Sequence, residues 1–433
     1  MTEPALGGEW AVPSPDPIAT DYLLLALRLD QHLPGFVDGY FGPARLKAQV
    51  DLESLRTAAA LAADARQLAV RVEADIADPL RRAWLIGQLV AIEANARALD
   101  DAPGGFTGAA YLEHVRRCFD WTPEPRPTEL FAVARAEIDR LLPGSGPTVD
   151  RLAAWDERLV VAPERLPAIV DWLVAVLRER AGATFGLPDG ESLRVSLVRR
   201  QPWSAYNWYD GNLRSRVDLN TDLPIRAPDL LSVLAHETYP GHHLEHAWKE
   251  ARLVRRDQRL ECSILLINTP ECLISEGLAD LGRRFAIPAA EEEGLLVQLF
   301  QRAGLAGSDD PAIVTELART AIALRRPRAR LGEFAVNAAL RRNVDGASHA
   351  TVRAEFEQAA LLTPERAEKR LEFIEHPLWR TYVFVYSEGE ALLGRWLEAV
   401  PRPEAEPRFG RLLTEQLSPA AIVAELGGLA GRG

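Results

Sequence analysis

Cysteine is scarce, positive charge is outnumbered, and no apolar run is long. Three cysteines in 433 residues, Cys118, Cys262 and Cys272, are too few and too scattered for a disulfide framework or a four-thiolate zinc site. Each reads instead as a small buried apolar residue in a reducing compartment. No stretch approaches the roughly 20 apolar residues that span a bilayer. The opening MTEPALGGEWAVPSPDP has no basic start followed by an apolar run. These features predict a cytoplasmic protein with no membrane partner. Fifty Lys and Arg against 62 Asp and Glu give a net charge of −12, which argues against nucleic acid as a partner, because its backbone is polyanionic.

What is present is a chain with a hydrophobic fraction of 47% and a charged fraction of 26%, the composition of an ordinary globular protein long enough to bury a large core. Residues 1–16, rich in Pro, Gly and small side chains, read as a flexible N-terminal arm. Residues 17–190 carry apolar residues at helical spacing, as in YLLLALRL from Tyr22, AWLIGQLVAIEANARAL from Ala83 and LPAIVDWLVAVLRER from Leu166. Pro and Gly punctuate these runs, and Asp78, Thr128 and Thr148 stand where helix caps belong. Residues 191–433 form the second region. Within 191–225, SLRVSLVRR and LRSRVDLN alternate with period two, which predicts two or three short strands. A helix over 228–250 follows, opened by Pro228 and Asp229. Helices continue to about Val400, then a Pro-rich joint at PRPEAEP and a short terminal helix. The fold class is therefore mainly α, with a small β-sheet beside the helix that carries the histidines, in one continuous body.

Four of the eight histidines, His236, His242, His243 and His246, fall within eleven consecutive positions. Neutral imidazole is a common zinc ligand, and a carboxylate beside a ligand can take a proton from water activated by the metal. His236 and Glu237 open the metalloprotease helix motif HExxH. Its second ligand belongs four residues on, but that position is Pro240. Proline cannot bind a metal, and it must kink or bulge the helix at Pro240 and Gly241. If the Pro-Gly pair acts as a two-residue bulge, His242 returns to the ligand position. His243 shares the face of His236 in an undistorted helix but lies roughly 10 Å further along the axis. His242 is thus the preferred second ligand and His243 the alternative, otherwise a supporting or substrate-facing group.

A catalytic zinc takes a third protein ligand and keeps one position open. Glu276 lies in an apolar stretch between Leu273, Ile274 and Leu278, where a carboxylate is costly to bury unless it meets a cation. Asp280, one helical turn on, is placed to accept a hydrogen bond from a ligand imidazole. Glu237 is the candidate general base. Tyr386, then Tyr382, is the candidate donor to a developing oxyanion, and His376 reads as a turn residue. Arg214 and Arg216, on alternate positions of one strand, read first as a solvated sheet face and second as a grip for a substrate carboxylate, and that strand could offer its edge to a peptide. The run RRPRARLGE from Arg325 reads as an exposed helix surface.

These segments resemble a known family. HETYPGHHLE, from His236 to Glu245, is similar to the HExxPGHH signature of a bacterial family labelled domain of unknown function 885, grouped with the zincin-type metallopeptidases. The likeness extends to RVDLNTDLP before it, to SEGLADLG after it, to the region from His376 to Gly394 and, more weakly, to YFGPARL near residue 40. It implies a large helical zincin-like body with Zn2+ held by two histidines and the glutamate of the EG segment. Two departures, EGLAD in the EG segment and Glu245 where Gln is usual, touch pocket shape and charge more than metal binding. The resulting expectation is a zinc metallopeptidase, a carboxypeptidase, dipeptidase or oligopeptidase, acting on a peptide or other small amide with zinc-activated water. Two alternatives stand beside it. One is a helical binding or scaffold protein whose structural zinc takes His246 as a fourth ligand; the other is a hydrolase of non-peptide amides or one using Mn or Fe.

Overall fold

The computed structural model describes residues 16–99, 106–201 and 203–430; the predicted arm lies outside the described residues except for Asp16. Helix accounts for 67% of the described residues, so the fold is mainly α. Local chemistry accounts for several helix starts. Asp16 accepts from the Ile18 amide and opens Pro17–Asp30. Asp78 accepts from the amides of Leu80 and Arg81 and opens Pro79–Ala98. In both, proline fills a first-turn position whose amide would have no intrahelical partner. Thr128 and Thr148 are first helical residues preceded by Pro127 and Pro147, and neither helix has a side-chain cap.

Most of the buried apolar residues gather in two cores. One core gathers Pro17–Asp30, Ala58–Asp75 and Pro79–Ala98 with Leu260, Ile264 and Leu266. The larger core takes in the helices from Ala109–Phe119 to Leu166–Phe185 together with those from Ala227–Glu237 to Pro419–Ala430. Pro79–Ala98 joins the two, with Ala94 in one core and Ala96 in the other.

Five strands are present among the described residues: β1 (Val37–Tyr40), β2 (Ser192–Val198), β3 (Ala205–Gly211), β4 (Arg214–Asn220) and β5 (Ile264–Leu266). β1 and β5 pair antiparallel. The other three form a sheet of order β2-β4-β3, with β4 parallel to β2 and antiparallel to β3. LRSRVDLN is therefore the central strand and has no edge to offer a peptide. A tight hairpin through Asn212 and Leu213, both at positive φ, folds β3 back over it.

Two further expectations are corrected. The helix expected over 228–250 is two helices, Ala227–Glu237 and His242–Lys249, the second continuing into a π-helical stretch, Glu250–Arg256. PRPEAEP is not a joint but the first half of the helix Arg402–Thr414. Pro401 and Pro403 occupy its start, where missing amides cost nothing, and the helix continues through Pro407 with one bond fewer. The three cysteines are free and buried. In the basic run, Arg325 and Arg328 pair with Glu292 and Asp156.

Candidate metal centre

The break between the two histidine helices has a defined backbone geometry. Ala227–Glu237 stops at Thr238, the chain crosses a cis Tyr239–Pro240 bond, and His242 starts the next helix. The Gly241 amide donates to the Ala235 carbonyl at 3.1 Å and the Leu244 amide to the Thr238 carbonyl at 3.3 Å. Both bonds reach back six residues where an α-helix reaches four. Two residues are thus looped out, and His242 arrives beside His236.

Three side chains converge there. His236 Nε2 lies 3.1 Å from His242 Nε2 and 3.2 Å from Glu276 Oε2, and His242 Nε2 lies 3.7 Å from the same oxygen. Ligands about 2.1 Å from a tetrahedral ion stand about 3.4 Å apart, so the three atoms have the spacing of one face of such a site. Glu276 is 7% exposed and its Oε2 has no hydrogen-bond partner. A buried, unpartnered carboxylate oxygen facing two imidazoles is costly unless a cation completes the group. The protonation equilibria point the same way. Against the downward pull of burial, Asp280 and Glu276 raise the pKa of His236, while Glu245 and Glu276 raise that of His242 to about 10. The cage favours positive charge at its centre, and its donor set of two imidazoles and one carboxylate suits zinc.

Each of the three side chains is held from behind. Asp280 Oδ1 lies 2.9 Å from His236 Nδ1. Ser275 Oγ lies 3.2 Å from His242 Nδ1 and donates to Glu245 at 2.5 Å. The Tyr382 hydroxyl donates to Glu276 Oε1 at 2.7 Å, so it is committed to orienting that carboxylate and is not a free donor. Such supports set ring orientation and ligand basicity. Asp280→Ala is accordingly expected to weaken zinc binding by roughly 10- to 100-fold, measured by competition with a chromophoric chelator. An unchanged affinity would show that Asp280 does not orient His236.

The helix Pro270–Ala286, which bears Glu276 and Asp280, crosses Phe384–Glu398, which bears Tyr386, in backbone contact. A Cβ on Gly277 would come within 2.5 Å of the Gly389 backbone, and one on Gly389 within 2.2 Å of the Leu273 carbonyl oxygen. The glycine of the EG segment therefore sets the distance between the Glu276 and Tyr386 helices.

His243 points away from this centre. Fully buried, it places Nδ1 2.8 Å from Ser215 Oγ and Nε2 2.8 Å from Glu191 Oε2. Glu191 also accepts from Tyr239 and pairs with Arg178. His243 thus anchors the second helix to the sheet and faces no substrate. His376 accepts from the Leu378 amide and does not line the cavity. Arg214 and Arg216 are likewise outside the lining. Arg216 stacks on Trp208 and lies 3.8 Å from Asp218, because β4 turns its odd-numbered residues, not these two, toward the helices.

The cavity above the three converging atoms is lined by Glu237, Tyr386, His246, Glu245 and Glu271, and by residues that alternation and helical periodicity did not reveal: Asp38, Asn207, Ser275 and Trp379. β3, one of the two outer strands of its sheet, contributes Ala205, Tyr206 and Asn207. Asn207 Nδ2 donates to the Glu237 carbonyl at 2.7 Å, tying this strand to the break. Burial raises the pKa of Glu237, and the imidazoles of His236 and His242 oppose that rise. Glu245 and Glu271 share the Lys249 ammonium at 2.7 Å each. The His246 ring lies parallel to that of His242 at 5.9 Å, and burial depresses its pKa to about 3, leaving it neutral. A second group of His242, Glu245 and His246 exists, but Glu245 is already engaged by Lys249 and Ser275.

No family model and no curated protein matches the chain. Among solved structures, the chain is similar to "the putative lipoprotein from Colwellia psychrerythraea" at a TM-score of 0.50 and 14% identity, over 86% of this chain and 67% of that one. At that identity the likeness speaks to the fold alone. Among the described residues, no helix is long and apolar enough to cross a membrane.

Proposed function

We propose that this protein is a zinc-dependent hydrolase of peptide or other small amide bonds, related to the zincin-like family its HETYPGHH segment resembles. One observation carries the reading: His236, His242 and Glu276 present three ligand atoms at tetrahedral-face spacing beside the carboxylate of Glu237. Zinc held there supplies Lewis-acid polarisation of a carbonyl and lowers the pKa of water toward neutrality.

The remaining work falls to side chains. Glu237, at the end of the first helix, accepts the proton of the attacking water and returns it to the leaving nitrogen. The Tyr386 ring reaches the surface while its hydroxyl is enclosed at the cavity wall, and that enclosure together with the carboxylates of Glu276, Asp280 and Glu237 holds the hydroxyl protonated. It donates to the oxygen on which negative charge develops. An extended peptide lies along β3, whose residues 205–207 border the cavity. His246 does not join the group of His236, His242 and Glu276, and Glu245 is engaged by Lys249 and Ser275, which supports an open three-ligand site over a closed structural one with His246.

Tyr386→Phe is expected to lower kcat by roughly 10²- to 10³-fold with little change in KM, read from steady-state kinetics. An equal loss appearing in KM alone would make Tyr386 a binding group instead. The proposal itself is tested by stripping the protein with a chelator, reloading it with zinc and following a peptide mixture by mass spectrometry. One equivalent of zinc and zinc-dependent cleavage are expected. Absence of tight zinc binding, or of any cleavage in the loaded protein, overturns it.

A further inference from the structure

We propose that Asp38 receives the free α-ammonium group of the substrate, making the protein an exopeptidase that acts at the amino end of short peptides. This inference rests on the hydrolase reading above and adds the end from which the substrate is recognised.

The charges around the cavity lead to it. Among the described residues the lining holds five carboxylates, Asp38, Glu237, Glu245, Glu271 and Glu276, and no lysine or arginine. Four have work or partners already. Glu245 and Glu271 share Lys249, Glu276 faces the two imidazoles, and Glu237 moves the proton. Among the described residues Asp38 makes no ion pair. Its hydrogen bond comes from the Tyr206 hydroxyl, a neutral donor that leaves most of the carboxylate's acceptor capacity unused. A half-buried carboxylate on a cavity wall without a positive partner is incompletely solvated, and an entering ammonium supplies that charge. Burial lifts the Asp38 pKa to about 7, with His242 opposing and the carboxylates of Glu276 and Glu237 adding to the rise. These interactions also place Asp38 within electrostatic reach of the metal centre.

Position favours the same reading. Asp38 sits on β1, the short strand paired with β5, and Tyr206 ties it to β3, the strand that borders the cavity. A peptide laid along β3 with its amino end at Asp38 brings its first amide bonds near His236, His242 and Glu276. Recognition of a terminal carboxylate has no support in the lining, since Arg214 and Arg216 lie elsewhere. A mid-chain segment would leave Asp38 facing neutral amides.

The experiment compares Ala-Ala-Ala with Nα-acetyl-Ala-Ala-Ala on the zinc-loaded full chain. Wild type is expected to favour the free amine in kcat/KM by roughly 10- to 100-fold, the range of a charge-assisted hydrogen bond. In Asp38→Asn that ratio is expected to collapse toward one. A wild-type ratio near one, or a ratio that survives in Asp38→Asn, overturns the assignment, and the wild-type comparison does so even if the variant fails to fold. If neither peptide is cleaved, the hydrolase reading falls by itself, and calorimetric titration of both peptides into the zinc-loaded wild type decides Asp38. A roughly tenfold or greater preference for the free amine, lost in Asp38→Asn, supports it; equal binding or none overturns it.

Discussion

Glu237→Gln is expected to reduce turnover by roughly 10²- to 10⁴-fold, the usual contribution of a positioned general base, while zinc stoichiometry and thermal midpoint stay at wild-type values. The separation follows from the environment of the side chain. The Glu237 carboxylate lines the cavity, and it makes no hydrogen bond or ion pair among the described residues. What holds this residue in place is its backbone, through Asn207 and the Ala227–Glu237 helix. Glutamine keeps the shape, removes the charge and cannot accept the proton. Zinc content by elemental analysis, melting by circular dichroism and peptide cleavage by mass spectrometry together check the prediction. Undiminished cleavage by a zinc-loaded variant would remove Glu237 from the chemistry. Loss of zinc along with activity would assign it to the metal cage instead.

Gly241→Ala is expected to be more damaging to the site than its one added methyl group suggests. A Cβ at this position would lie 1.8 Å from the His236 carbonyl oxygen, 2.5 Å from its carbon and 2.7 Å from the Ala235 oxygen. All three are backbone atoms of the helix that carries the first ligand, so no side-chain rotation relieves the contact. The loop must lift, which pulls the Gly241 amide from the Ala235 carbonyl and carries His242 away from His236. Zinc affinity should fall by at least about 100-fold, since removal of a supporting group alone costs roughly 10- to 100-fold. Stability should drop by about 2 to 4 kcal/mol, the range of a core overpacking made worse by a lost backbone bond. Chelator competition and denaturant unfolding measure the two effects. A variant that binds zinc as tightly as wild type would mean that the two histidine helices do not meet as the structure has them.

Much of the helical architecture was readable because periodicity reports which face of a segment is buried. The repeats from Tyr22, Ala83 and Leu166 became helices, and Asp78 capped the one that starts at Pro79. The strands β2 and β4 were readable from alternation. β3 was not, since AYNWYDG places large aromatics on both faces, half-buried Tyr206 and Trp208 on one and buried Tyr209 beside Asn207 on the other. The Pro-rich segment from Pro401 misled because proline breaks a helix interior but suits a helix start. Arg214 and Arg216 share a face as alternation requires, but which face looks into the cavity depends on how the sheet packs.

Within HETYPGHH the sequence by itself determined that the HExxH spacing is broken, that a bulge at Pro240 and Gly241 is required, and that Glu276 needs a positive partner. These conclusions follow from covalent constraints and from the cost of burying a charge, both of which are local. Only the tertiary structure decided which histidine faces the centre. His243 is drawn into the sheet by Ser215 and Glu191, residues 28 and 52 positions away along the chain, leaving His242 beside His236. Only the tertiary structure brought Asp38 and Tyr206, 168 positions apart, to one cavity wall. Contacts between distant segments depend on how helices and strands pack, and a single sequence carries no local signal of which carboxylate will be left there without a cation.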